Sequence, residues 1–128
     1  MSLRDQLRIL VVDDMSTSRG LLTQALDAIG ITNVASVADG PTALAALEKS
    51  PVHLVISDFN MPEMNGLQLL HALRSAERTK QVGFILITGL ANNEIIEGGR
   101  HLGMNNYLKK PFEAVELRTC IEAVVGRL

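Results

Sequence analysis

A doubly wound α/β architecture is predicted: a five-stranded parallel sheet with helices on both faces. Three observations predict it. Short aliphatic runs alternate five times with segments whose apolar residues recur at helical spacing. Strands regularly separated by helices imply right-handed crossovers between parallel neighbours. The run Val52 to Ser57 is nearly all apolar, as in a strand covered on both faces, rather than alternating in and out.

The elements follow in order. The first strand spans about Leu7 to Val12 and leads to a turn at Asp13 to Ser16. A helix then carries Leu21, Leu22, Ala25, Leu26 and Ile29 on one face, capped by Ser16 or Thr17 and stopped at Gly30. Val34 to Val37 is a short second strand. Asp39-Gly40-Pro41 opens the next helix, with proline where its missing N–H costs nothing. That helix carries Leu44, Ala45, Leu47 and Glu48, and ends near Ser50-Pro51 because proline disfavours helical backbone in the preceding residue. The third strand, Val52 to Ser57, is followed by a turn-rich loop from Asn60 to Gly66 and a helix through Leu67, Leu70 and Leu73. Val82 to Thr88, Asn93 to Leu102 and Asn106 to Lys109 read as strand, helix and strand, with Gly103 ending the helix. A fifth helix carries Val115, Leu117, Ile121, Val124 and Val125. The strand order 2-1-3-4-5 is carried over from flavodoxin-like folds and not deduced from the spacing. Gly98-Gly99 lies inside a helix of about ten residues, where each glycine costs roughly 0.8–1.0 kcal/mol relative to alanine. The pair implies either a locally soft helix or a close neighbour.

With 128 residues and no repeat, linker or low-complexity tract, residues 1–128 are read as one domain. Hydrophobic residues at 47% support a packed core, and aromatics at 3% mean that it is built from Leu, Ile, Val and Ala. Twelve basic and fourteen acidic residues give a formal charge of −2, which lacks the basic excess that nucleic-acid binding needs. A lone Cys120 on a helix is expected to be a buried packing residue in a reducing, cytoplasmic setting. Arg4 and Arg8 precede an apolar run too short for a signal peptide, and no stretch approaches the roughly 20 apolar residues of a membrane span.

Four strand ends carry the chemistry: Asp13-Asp14, Asp58, Thr88 and Lys110-Pro111. Ligands in open parallel sheets bind at the carboxyl ends of strands, where the strand order reverses. That order places the first and third strands side by side, so Asp13, Asp14 and Asp58 share one crevice. At about 5 Å and an effective dielectric near 20, each like-charged pair costs roughly 3 kcal/mol, which calls for a cation. Magnesium suits the set, because it takes one or two carboxylates and keeps water positions that phosphate oxygens can replace. Asp58, at the end of the central strand, is the candidate nucleophile for a phosphoryl group. Thr88 and Lys110 are candidates to hold its oxygens, and Gly89 leaves the approach open.

The segments Ile9 to Asp14, Ser16-Thr17-Ser18-Arg19, Asp58 to Gly66, Thr88-Gly89 and Tyr107 to Phe112 together resemble response-regulator receiver domains, and most of all the stand-alone chemotaxis proteins of the CheY type. The likeness covers essentially the whole chain. It implies that Asp58 accepts phosphate from the phosphohistidine of a CheA-like histidine kinase, without other enzymatic activity than this self-phosphotransfer and autodephosphorylation. It implies magnesium held by Asp14, Asp58 and the Asn60 carbonyl, with Asp13 acting through water. Thr88 and Tyr107 are implied as the switch that relays the phosphoryl group to an output face formed by the helix over 93–102, the last strand and the last helix. A monomer is expected that signals by protein docking, to the flagellar motor switch, since no DNA-binding or enzymatic segment follows the last helix. A phosphorelay intermediate or phosphate sink is the alternative within the family. Outside it, an aspartyl-phosphate phosphatase would want a second acid where Asn60 stands, and a flavodoxin-like carrier would want a Ser/Thr/Gly loop and aromatics around a flavin. Leu90 stands where the family often has a polar residue that influences water attack, so it bears on the lifetime of the phosphorylated state.

Overall fold

A computed structural model describes residues 2–89 and 93–128. Among them, five parallel strands form one sheet in the order β2-β1-β3-β4-β5. The strands are β1 (Ile9–Val12), β2 (Val34–Val37), β3 (Leu54–Asp58), β4 (Gly83–Thr88) and β5 (Asn106–Lys109). Helices α2 (Ser16–Ile29), α3 (Gly40–Lys49), α4 (Gly66–Ser75), α5 (Asn93–His101) and α6 (Ala114–Val125) are the five expected from the sequence.

A sixth helix precedes them. The single turn α1 (Leu3–Gln6) is held by the Asp5 N–H donating to the Ser2 carbonyl at 3.2 Å and the Ser2 N–H donating to Asp5 Oδ2 at 3.3 Å. Four residues carry no apolar period, so the sequence pattern gives no sign of it. Its Arg4 donates from Nη1 to the Ile29 carbonyl, 3.3 Å away at the end of α2. β1 accordingly begins at Ile9, and Leu7 is buried in the connection instead.

Strand alternation sorts the core into two layers. Ile9, Val11, Leu54, Ile56, Ile85 and Ile87 face α2 and α6. Leu10, Val12, Val55, Phe84 and Leu86 face α3, α4 and α5. On α2 the buried stripe is Leu22, Leu26 and Ile29, whereas Leu21, expected on that face, is 62% exposed because it stands one position off the stripe. Val115 on α6 is likewise 64% exposed, while Leu117, Cys120 and Ile121 are buried. Burial pushes the Cys120 thiol up to about 11, which keeps it in the neutral form as a packing residue.

Local signals hold at most helix ends. Asp39 accepts the Thr42 N–H at 2.7 Å to cap α3, and Gly30 ends α2 in the left-handed region at φ 96°. Asn65 and Gln68 cap α4 reciprocally, each bond 2.9 Å. Neither Ser16 nor Thr17 caps α2: the cap position is Met15, and its N–H donates to Asp13 Oδ1 at 3.0 Å. That bond holds the turn before the helix, and no side chain caps α2 itself. In α5, Gly99 is buried, and a Cβ there would stand 2.7 Å from Met104 Sδ, so that glycine admits a close neighbour.

Gly66 is the tightest point near the sheet edge. Its N–H donates to the Phe59 carbonyl at 2.8 Å, and a Cβ there would lie 2.6 Å from the Asp58 carbonyl oxygen and 3.1 Å from Phe59 Cα. Backbone atoms cannot swing aside as a flexible side chain can. Gly66→Ala is therefore expected to destabilise the fold by about 1–3 kcal/mol and to shift the Asp58 loop, read by urea denaturation against wild type.

Candidate functional site

The β1–β3 register pairs Val12 with Ser57, so the next residues, Asp13 and Asp58, emerge side by side. β4 continues the edge through the pairing of Asp58 with Ile87 and the Phe59 N–H donating to the Ile87 carbonyl at 3.1 Å. The Lys110 N–H donates to the Thr88 carbonyl at 2.9 Å, which extends the β4–β5 pairing and turns the lysine toward the crevice.

Asp13, Asp14 and Asp58 each offer a carboxylate oxygen within 4.8 Å of the others. Asp13 is buried and Asp14 exposed, while the Asp58 side chain keeps 11% exposure. Lys110 Nζ lies 3.1 Å from Asp58 Oδ1 and 3.8 Å from Asp13 Oδ2, and it donates to Ser18 Oγ at 3.3 Å. Thr88 is buried at the end of β4, and Asn60 is exposed at the head of the loop after β3. The structure thus brings Asp13, Asp14, Asp58 and Lys110 to one point, with Thr88 on the adjoining strand end.

Tyr107 stands apart from this cluster. It is half-buried on β5, paired with Leu86, and so shares a sheet face with Thr88 two residues further along β4. Leu90 lies outside the described residues.

Burial pushes the Asp58 carboxyl above its ordinary value; the hydrogen bond and charge of Lys110 oppose the shift, and the Asp13 charge adds to it. Burial is the leading cause, and Lys110 offsets it only in part. The donor set is hard oxygen throughout, which fits magnesium rather than a thiophilic metal.

Two further residues, both within the matching segments but given no role there, support the site. Arg19 donates from Nη1 to the Asp13 carbonyl at 2.7 Å, tying the first turn of α2 to the end of β1. Gly66 lets α4 start against the Asp58 carbonyl. Beside the acids, a cavity of about 300 Å³ opens between α2 and the segment after β5, walled by Leu22, Ala25, Ile87, Pro111 and Phe112.

A family model for the response regulator receiver domain matches residues 9–122. The chain is 41% identical over 128 residues to a probable chemotaxis protein CheY of Rhizobium etli, covering 100% of this chain and 99% of the relative. Its structure is similar to that of Vibrio cholerae chemotaxis protein CheY4, with a TM-score of 0.86, 30% identity and coverage of 92% of this chain and 98% of the other. It is also similar to the receiver domain of a sensor histidine kinase from Pseudomonas aeruginosa, with magnesium coordinated in that protein's active-site cleft. There the TM-score is 0.85, the identity 28%, and the coverage 94% of this chain and 98% of the other.

Removing one of the three carboxylates should relieve strain. At neutral pH without divalent metal, Asp58→Asn is expected to stabilise the fold by about 1 kcal/mol, a few degrees in Tm. The sign follows from linkage. A carboxyl whose folded-state value is raised binds a proton more readily folded than unfolded, so its charged form opposes folding at neutral pH. That opposition fades as pH falls through the raised value toward 3.8, and the advantage of the variant should narrow over the same window in thermal melts.

Proposed function

The chain belongs to the response regulator receiver domain family, and from that premise we propose that it is phosphorylated on Asp58 by a histidine kinase. The observation that carries the proposal is the Asp58 carboxylate at the end of the central strand, with Lys110 Nζ at 3.1 Å and two further acids beside it. The full-length similarity to a chemotaxis relative supports a role in chemotaxis, with a CheA-like kinase as donor and the flagellar motor switch as target.

In this reading an Asp58 oxygen attacks phosphorus as the bond to the donor nitrogen breaks. Lys110 leaves its ion pair with Asp58 and holds a phosphoryl oxygen instead, with the Thr88 hydroxyl holding another. Asp13, Asp14, Asp58 and the Asn60 carbonyl would hold magnesium, which when bound would supply charge neutralisation for the incoming group. The magnesium in the Pseudomonas aeruginosa receiver domain supports that set. Arg19 and the Met15 N–H keep Asp13 in place by fixing its carbonyl and its Oδ1. The new phosphoryl group draws Thr88 toward it, and Tyr107, on the same sheet face, responds at the side of α5, β5 and α6. Output is by docking at that side. The donor domain approaches over Met15, Ser18, Leu22 and Pro111, where Met15 is 60% exposed and the others wall the cavity beside Asp58.

Incubation with acetyl phosphate and magnesium is expected to add one phosphate, seen by mass spectrometry, and Asp58→Asn to abolish it. Undiminished labelling of the variant would overturn the assignment. Ser18→Arg places a long cation at the donor approach and should slow transfer from a phosphorylated kinase donor domain at least about tenfold, read by loss of label from the kinase.

A further inference from the structure

We propose that the cavity between α2 and the segment after β5 is a leaving-group pocket, and that the chain takes phosphate directly from acyl phosphates whose acyl group is an aliphatic chain longer than acetyl. The inference rests on Asp58 being the phosphoacceptor and adds the class of small donor it prefers. The cavity has two unlike ends. One is polar, lined by Asp13, Ser18, Asp58 and Lys110, where the phosphoryl end of a donor would sit. The rest is hydrocarbon: Leu21, Leu22, Ala25, Ile87 and Phe112.

Ser18 and Lys110 touch each other at the polar end, and none of those five side chains can pair a charge or an amide. A phosphate anchored at Asp58 can therefore place only an apolar tail along them. The volume, about 300 Å³, exceeds the roughly 150 Å³ that suffices for an aliphatic cavity to take up benzene, so a four-carbon chain fits. Leu21, 62% exposed, forms the rim, where a bound chain would cover it.

The step balances without a further reactant. An Asp58 oxygen bonds to phosphorus while the bond from phosphorus to the acyl oxygen breaks, and the electron pair leaves with that oxygen as a carboxylate. No proton moves and nothing is oxidised.

Acetyl, propionyl and butyryl phosphate test the pocket, because their leaving groups are nearly equal in acidity and differ in length. Labelling of the full chain is followed by mass spectrometry in the presence of magnesium. Each buried methylene should raise kcat/KM about fourfold, giving at least tenfold from acetyl to butyryl, expressed in KM with kcat little changed. Ala25→Leu fills the cavity and should bring the butyryl-to-acetyl ratio near one. Leu21→Ser, on the exposed rim where the fold tolerates it, should lower the ratio to two- or threefold. A flat series in wild type, with normal labelling by acetyl phosphate, overturns the pocket and leaves the phosphoacceptor reading standing. A ratio unchanged in both variants also overturns the pocket. No labelling by any of the three donors overturns both readings.

Discussion

Adjacent strands β1 and β3 run in register from Ile9–Leu54 to Val12–Ser57, and this pairing fixes where Asp13 and Asp58 stand. The chain leaves β1 outward to β2 and returns past β1 to β3, by α2 on one face of the sheet and α3 on the other. The loops at the two strand ends therefore diverge and leave a crevice. Three carboxylates in that crevice repel one another, and the surrounding structure answers the repulsion. Lys110 is brought in by the backbone bond to Thr88, and Asp13 is held by Met15 and Arg19.

The answer is partial. Lys110 serves two carboxylates and a hydroxyl at once, and Asp58 still lies above its ordinary titration range. Three carboxylates beside one ammonium fit a divalent cation. The Lys110 side chain keeps 30% exposure while it makes these contacts.

The opposite end of the molecule is secured differently. Arg74, at the end of α4, donates to the Gly103 carbonyl from Nε at 3.2 Å and from Nη2 at 3.0 Å, and to Asn105 Oδ1 at 3.0 Å. Asn105 Oδ1 also accepts the Phe84 N–H at 2.8 Å, so one arginine ties the end of α5 to α4 and to the start of β4. The glycine pair in α5 belongs to this packing: Gly99 is buried against Met104, and a Cβ on Gly98 would lie 3.3 Å from Leu67 Cδ1. Both glycines thus stand close to side chains of neighbouring elements, one of the two readings that the pair allows.

The sequence by itself determined the alternation of strands and helices, the acids, hydroxyl and lysine at the strand ends, and stops such as Gly30 and Gly103, because each is written in residues next to one another. Asp39 and Thr42 make a cap within four residues, and β2 and β5 have the bounds their apolar runs imply. Tertiary structure alone decided the rest. Leu21 and Val115 sit at the edge of an apolar face, and only the position of the neighbouring elements settles whether such a residue is covered. Arg4 on α1 reaches the Ile29 carbonyl at the end of α2, and the Met15 N–H before α2 is taken by the Asp13 side chain just after β1. Lys110 meets Ser18 across 92 residues, and Gly66 meets the Asp58 carbonyl through the fold of a loop. Such distances are set by sheet register and crossover path, and no local pattern of residues encodes them.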